Sequence, residues 1–510
     1  MISIFTSALS ASPSTPNANL TAKSPSADSQ LPSTSTSSSD PNSAATDDID
    51  NVDDIDEVDD QGQSILMGII SQLRPGCDLS RITLPTFILE RKSMLERITN
   101  QLQQPDILLK ANSTQDPTER FLLVLKWYLS SWFIAPKAVK KPLNPVLGEY
   151  FTSYWNLSNG HSAYYISEQT SHHPPKSSYF YMIPESNIRV DGTVIPKSKF
   201  LGNSTAAMME GLSILRFLDI KTNTNKNANT NTNTNPEENK ILLENQIEED
   251  SNPNKSAQVD YEYYTLTQPN MYARGLLFGK LKLELGDHMI VKCPSSNLVA
   301  DIEFKTKGFI SGTYDSIQGY VKDLSKNINL FELSGKWNDQ IFIKNLSSSL
   351  NLFSPPSNEL FFDVHSSVLY PPLVRPLSDQ GEFESKKLWN KVIIALNKRN
   401  HDLATNEKFK IEDNQRLLAK KRIQDGVEFH PKLFKKNPNY NPTDTSASSL
   451  SSTTDLNLSD PLEFILYKNI PINDSPENKI KAILSVAPIL PGQSFTPEFE
   501  IPTYKKPQLS

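Results

Sequence analysis

The 510-residue chain predicts a mainly β fold with flanking helices, in which many antiparallel strands close into a barrel with room for a ligand. Three observations lead there. Between residues 146 and 345, short stretches rich in aromatic and β-branched residues follow one another, such as Tyr164, Tyr165 and Ile166, then Tyr179, Phe180 and Tyr181. Turn residues punctuate them at Ser158-Asn159-Gly160, Asp191-Gly192 and Leu285-Gly286-Asp287, which is the rhythm of an antiparallel meander. Helical periodicity is confined to the flanks, so few helices are available to cover two sheet faces. Closure removes the exposed edges of such a sheet, and a barrel of many strands has space inside.

The elements run in this order. Residues 1–61 are a leader of Ser, Thr, Pro, Asn and Asp with few large apolar groups, a composition that predicts disorder. Its end holds nine acids between Asp47 and Asp60 without a base; removing them from a formal net charge of −7 leaves +2. The run reads either as a solvated tail or as a charge that repels anionic bilayers. Ile65, Leu66, Ile69, Ile70 and Leu73 then share one helical face, and Arg74-Pro75-Gly76 ends it. So short a helix must lie on something apolar, either as core or as a cover over a cavity. Residues 84–89 (LPTFIL) read as extended. Helical spacing resumes at 93–102 and at 117–133, where Phe121, Leu122, Leu125, Tyr128, Leu129 and Trp132 line one side.

The central domain spans 62–436, interrupted by an Asn/Thr-rich insertion at about 221–258. A second low-complexity insertion covers 437–459, and 460–510 returns to ordered composition and is expected to pack back on the domain. Residues 384–423 read as helical, with Leu388, Trp389, Val392, Ile393 and Leu396 as a buried stripe. Beyond it Lys408, Glu412 and Arg416 recur at i, i+4, i+8, the spacing of one helix face.

Composition also excludes several classes. The N-terminus MISIFTSALS lacks a basic region, so a signal peptide is not expected. No apolar stretch approaches the length of a membrane-spanning helix. Cys77 and Cys293 are the sole cysteines, which suits a reducing compartment. A soluble cytosolic protein is expected.

Two stretches carry chemistry. EQTSHHPP (168–175) sets His172 and His173 side by side against two prolines that end any ladder. Each imidazole can offer an N–H donor to an anion. The doublet lacks the i, i+4 spacing of a helical zinc pair and has no cysteine nearby, so no metal is expected. KKPLNPVLGE (140–149) frames two lysines and an asparagine with prolines, which hold these donors at low entropic cost.

Together these stretches resemble the oxysterol-binding-protein-related family of lipid carriers, from about residue 63 to 507 outside the insertions. EQTSHHPP keeps every fixed position of the family's EQxSHHPP signature. KKPLNPVLGE is similar to its second signature, and the Lys408, Glu412, Arg416 spacing to its third element. The resemblance implies a β-barrel around a lipid tunnel, with an N-terminal lid at 62–90. It implies that Lys141, Asn144, His172, His173, Lys408 and Arg416 bind the head group of phosphatidylinositol 4-phosphate, supported by Glu412. A closer match is to the family's phosphatidylserine carriers. Residues 78–89 (DLSRITLPTFIL) and 198–204 (SKFLGNS) resemble the segments holding the serine head group there. That match implicates Leu79, Leu84, Thr86, Ile88 and Ser198, with Lys141 and Asn144 serving both lipids.

The implied function is exchange of phosphatidylserine for phosphatidylinositol 4-phosphate between membranes, with sterol as the other cargo or as a sensed ligand. The implied partners are anionic membranes, at endoplasmic reticulum and plasma membrane contacts. A monomer without cofactor, metal or nucleic-acid partner is expected. An enzyme is not expected: no G-x-S-x-G elbow and no zinc spacing occurs, although Glu168 and the histidines have acid/base chemistry.

Overall fold

The computed structural model describes residues 74–77, 85–134, 140–221, 261–275, 281–307, 312–346, 357–440 and 461–494. The leader, the helix expected at 64–73, Leu79, Leu84, the Asn/Thr insertion beyond residue 221 and the second insertion beyond residue 440 lie outside them.

β1 (Leu89–Ser93) leads into α1 (Met94–Arg97), α2 (Pro105–Ser113) and α3 (Pro117–Leu129). β2 (Lys141–Leu143) pairs with β1 in parallel. Next come β3 (Tyr150–Asn156), β4 (Ser162–His172), β5 (Pro175–Ile183), β6 (Ile188–Val194), β7 (Pro196–Phe200) and β8 (Ser204–Met209). They are followed by β9 (Leu212–Lys221), β10 (Tyr261–Leu266), β11 (Asn270–Arg274), β12 (Lys282–Cys293), β13 (Leu298–Lys305) and β14 (Ser316–Asp323). β15 (Ile328–Lys336), β16 (Gln340–Asn345) and β17 (Glu359–Asp363) complete a 15-stranded sheet. After it come α4 (Ser385–Asn397), α5 (His401–Gln424), β18 (Phe434–Lys436), β19 (Phe464–Leu466) and α6 (Pro476–Leu484).

The ladder runs from β17 down to β12, then through β10, β9, β6, β5 and β4 to β3, while β11, β8 and β7 branch from β12. Its pairings are antiparallel, as the meander pattern predicts. Closure differs from the expectation. Among the described residues β3 and β17 do not pair, and the sheet is open at that seam. Chain that follows β17 occupies the β3 edge instead. Tyr154 and Leu373 exchange backbone hydrogen bonds of 3.0 and 2.8 Å, and Tyr150 N donates to Phe383 O at 3.0 Å. This satisfies the edge without a full ladder.

Strand composition follows from what covers each face. In β13 the burial alternates residue by residue, with Asp301 and Glu303 in water and Ile302 and Phe304 inside, so one face is wet. β4 and β5 are buried on both faces. Tyr165, Tyr179 and Tyr181 share one core with Phe121, Trp127 and Tyr128 of α3. Tyr164, Ile166, Phe180 and Met182 point the other way and join Phe434, Phe464, Ile483 and Ile489. Residues 464–490 thus pack on this face of the sheet.

Asp191-Gly192 is not a turn but the middle of β6. Gly192 is there because a Cβ would lie 2.4 Å from the Tyr179 ring, so the residue makes room for an aromatic side chain. Gly286-Asp287 likewise lies within β12, with Asp287 at φ 67°. Residues 86–88 form a single 3-10 turn rather than extended chain, and α2 is a helix the periodicity did not single out. The helical stretch at 384–423 is two helices. Arg399 at φ 52° breaks it, and the Asn400 side chain accepts from Leu403 N at 3.0 Å to start α5.

Candidate functional site

The KKPLNPVLGE stretch is organised by its last residue. The Glu149 side chain is fully buried and receives four donors: Ser93 Oγ at 2.5 Å and Ser385 Oγ at 2.7 Å on Oε1, Trp389 Nε1 at 2.9 Å and Val146 N at 3.0 Å on Oε2. One carboxylate therefore ties β1, the 146–149 turn and α4 together. Burial pushes its pKa up, against the pull of Ser93, Ser385, Trp389 and the Val146 amide. Ahead of it, Lys140 Nζ donates to Phe87 O at 2.9 Å, and Lys141 and Asn144 are exposed.

EQTSHHPP ends β4 and starts β5. Neighbours on a strand face opposite ways, and Glu168 and Gln169 use this to clamp two structures. Glu168, fully buried, accepts from Lys432 N and Leu433 N, both at 2.8 Å. Burial raises its pKa to about 7 in spite of those amides and the Lys432 charge. Gln169 accepts from Ser177 Oγ at 2.6 Å, and its backbone N donates to Glu149 O at 2.8 Å. That last bond joins the two motifs directly.

His172 then lies opposite Pro175, and a cis His173–Pro174 peptide forms the corner. The two imidazole centroids are 4.6 Å apart and edge-on. His172 is half-buried, with a buried Nδ1 that has no hydrogen-bond partner among the described residues, whereas His173 is exposed. Burial and then His173 push the pKa of His172 down to about 4, while Glu412 and the backbone at Pro145 pull it up. His172 is therefore neutral near pH 7. It sits between the 140–149 turn and α5.

α5 brings the third element. Lys408 Nζ contacts Glu412 Oε1 at 2.5 Å and is largely buried, and Glu412 acts electrostatically on His172. Arg416 does not follow them. Its guanidinium pairs with Asp413 at 3.3 Å, lies 5.2 Å from the Phe409 ring centroid and is half exposed. The reason is helical geometry: each step of four residues overshoots a 3.6-residue turn by about 40°, so two steps rotate a side chain by about 80°.

The residues implied in serine binding are placed as follows. Thr86 is buried and its hydroxyl donates to His401 O at 3.2 Å, on the first turn of α5. Ile88 is buried beside it. Ser198 lies in β7 opposite Ala207. Gly76 N donates to Phe200 O at 2.6 Å and Phe200 N to Cys77 O at 3.1 Å. The chain entering the 78–89 stretch is thus laid against the strand carrying Ser198. Leu79 and Leu84 lie outside the described residues.

The sequence reading missed the two glutamates as organisers, although each belongs to a motif it had singled out. A fully buried acid within a motif needs donors, and Ser93, Ser385, Trp389 and the 432–433 backbone are distant in sequence. A cleft of about 480 Å³ lined by Gly312, Tyr314, Asp315, Lys336, Asn338 and His365 includes none of the motif residues.

Comparison with known proteins identifies the family. Residues 68–396 match the Oxysterol-binding protein family profile. The chain is 55% identical over 461 residues to "Oxysterol-binding protein homolog 6" of Saccharomyces cerevisiae, covering 90% of this chain and 88% of that protein. It is 53% identical over 447 residues to "Oxysterol-binding protein-like protein OBPa" of Candida albicans, covering 88% and 89%. The crystal structure of the Osh1 ORD domain in complex with cholesterol shares the fold, with a TM-score of 0.57 at 23% identity over 77% of this chain and 87% of that one. With its motifs joined through Glu149 and Gln169, and with relatives matched over most of their length, this chain belongs to the oxysterol-binding protein family.

Proposed function

We propose that the chain carries membrane lipids through water, exchanging phosphatidylserine for phosphatidylinositol 4-phosphate between membranes. The observation that supports this most is the convergence of three separate elements around His172: the 140–149 turn, the His172–His173 corner and Lys408 with Glu412 on α5. A phosphomonoester needs charge-assisted donors from several directions. Lys141 and Lys408 supply fixed charge, and Asn144, His172 and His173 supply further donors, His172 with an Nδ1 that no described residue occupies, while Arg416, paired with Asp413, lies outside this cluster. Glu412 orients Lys408 and raises the proton affinity of His172. The similarity of 78–89 and 198–204 to serine-binding segments supports phosphatidylserine as the second cargo. The action is peripheral and cytoplasmic, at contacts between the endoplasmic reticulum and the plasma membrane, and it requires no covalent step.

The physical need for a carrier is large. Each exposed CH₂ costs about 0.8 kcal/mol in water, so two acyl chains impose a barrier on the order of 20 kcal/mol or more. An enclosed apolar path removes that cost, and two lipids sharing one path compete for it. A gradient of one then drives movement of the other.

Replacing His172 and His173 together with Ala tests the head-group site. Losing two hydrogen bonds to a charged phosphate, about 1.5–3 kcal/mol each, lowers extraction of phosphatidylinositol 4-phosphate from vesicles about a hundredfold or more. The unfolding midpoint checks that the variant is folded. Unchanged extraction overturns the assignment. A transfer assay with phosphatidylserine, phosphatidylinositol 4-phosphate and a sterol tests the cargo. Efficient sterol transfer without phosphatidylserine transfer overturns the exchange proposed here while leaving the family unaffected.

A further inference from the structure

α5 has two unlike faces. Ala404, Lys408, Ile411, Gln415 and Leu418 point toward the domain, in line with their partial or full burial. The opposite face leaves large apolar groups in water: Phe409 is 59% exposed, Leu417 56% and Ile423 81%. Isolated exposed apolar residues are ordinary, but three on one face of one helix are a patch. Positions 409, 416, 417, 420 and 423 fall within about 120° of one another at 100° per residue. The charges among them are mainly basic. Lys420 on this arc and Lys421 just beside it are exposed, Arg416 lies over Phe409, and between 409 and 423 the acid on the arc is Asp413, paired with Arg416.

Apolar side chains set among lysines and arginines have a specific complement. A protein core would leave these cations without partners, and a nucleic acid would leave the apolar groups without contacts. The surface of an anionic bilayer satisfies both, since cations meet head groups while the apolar side chains enter the boundary with the acyl region. We propose that this face of α5, centred on Leu417, Lys420 and Ile423, docks the protein on anionic lipid bilayers. The inference rests on the carrier reading above and adds the surface through which the carrier meets its membrane. Its position is economical: the same helix presents Lys408 and Glu412 to the head-group site from its other face, so docking brings that site close to the lipid surface.

The test uses the full chain and two variants outside the proposed head-group cluster, Leu417→Ser/Ile423→Ser and Lys420→Ala/Lys421→Ala. Flotation is measured with vesicles of phosphatidylcholine alone and with 30 mol% phosphatidylserine, a composition chosen at about that level so that surface charge dominates. At about 0.1 M salt the lysine variant binds anionic vesicles about tenfold or more weaker than wild type, and the difference shrinks as salt rises. The serine variant is weaker at every salt concentration. Lipid loading from cyclodextrin complexes, which needs no bilayer, stays at the wild-type level for both. Variants that float like wild type overturn the docking proposal, as does a wild-type dimer that both variants dissociate without change in vesicle binding. Wild type that floats through this face yet loads none of the three lipids supports docking and overturns the carrier reading instead.

Discussion

Glu149 is the most informative single residue to perturb, because one buried carboxylate holds four donors from three parts of the chain. In Glu149→Ala, Trp389 Nε1 and Val146 N lose their acceptor in a site closed to water. Each orphaned buried donor costs about 1–3 kcal/mol, so the pair costs about 2–6 kcal/mol. Ser385 Oγ keeps a second acceptor in Tyr150 O at 3.2 Å, whereas Ser93 Oγ, which otherwise only accepts from Leu95 N at 3.4 Å, loses the acceptor of its own proton and adds to the loss. Glu149→Gln is milder. Its amide oxygen can take the Oε2 place and keep Trp389 and Val146, while the amide NH₂ faces the two hydroxyls, which rotate to accept. The expected loss is about 1–2 kcal/mol, the difference between charge-assisted and neutral hydrogen bonds. Removing the buried charge offsets part of both losses, since burial is what raises this pKa. Urea denaturation followed by tryptophan fluorescence reads the ranking directly, with Trp389 as a local reporter. The expected order is wild type, Gln, then Ala. An Ala variant within about 1 kcal/mol of wild type would mean that Trp389 and Val146 find other acceptors, and the hub would be refuted.

Two further perturbations follow from buried charge. Arg120 grips Glu262 through two bonds of 2.6 and 2.8 Å, with Tyr264 also donating to the carboxylate. Arg120→Met strands a buried charge and costs about 3–5 kcal/mol by denaturation, whereas Arg120→Met/Glu262→Met recovers most of it; a double variant no better than the single one contradicts this. Glu168 links stability to pH. Its folded pKa of about 7 stands above the ordinary 4.5, so its contribution is full below about 4.5 and is lost as pH rises through about 7. His172, depressed to about 4, acts with the opposite sign, contributing above about 6.5 and losing that as pH falls through about 4. The comparison is therefore wild type against Glu168→Gln at pH 5 and pH 8: the gap shifts in favour of Gln at the higher pH by up to about 3 kcal/mol, and parallel pH profiles count against the raised pKa.

Much of the fold was legible because strand patterning is local. Residues 187–194, 261–267, 289–293 and 340–343 carry their aromatic and β-branched residues in short runs, and strands lie there. The family was legible for a similar reason, since EQTSHHPP and KKPLNPVLGE are contiguous. Glycine was misread where its use is tertiary: Gly192 looks like a turn residue, yet it exists to admit the Tyr179 ring from the neighbouring strand.

The sequence by itself determined a mainly antiparallel β protein and the motif side chains that mark its family. Tertiary structure alone decided how those side chains are held and charged. Glu149 and Glu168 look like solvent-facing acids until Trp389 and the 432–433 backbone, more than two hundred residues away, arrive to supply donors. The neutrality of His172 comes from burial and from a neighbour, neither of which local spacing encodes. The direction of Arg416 was hidden by a spacing that keeps i and i+4 together but turns i+8 away. Hydrogen-bond partners, burial and side-chain direction depend on which distant segments meet, and that is fixed when the core excludes water.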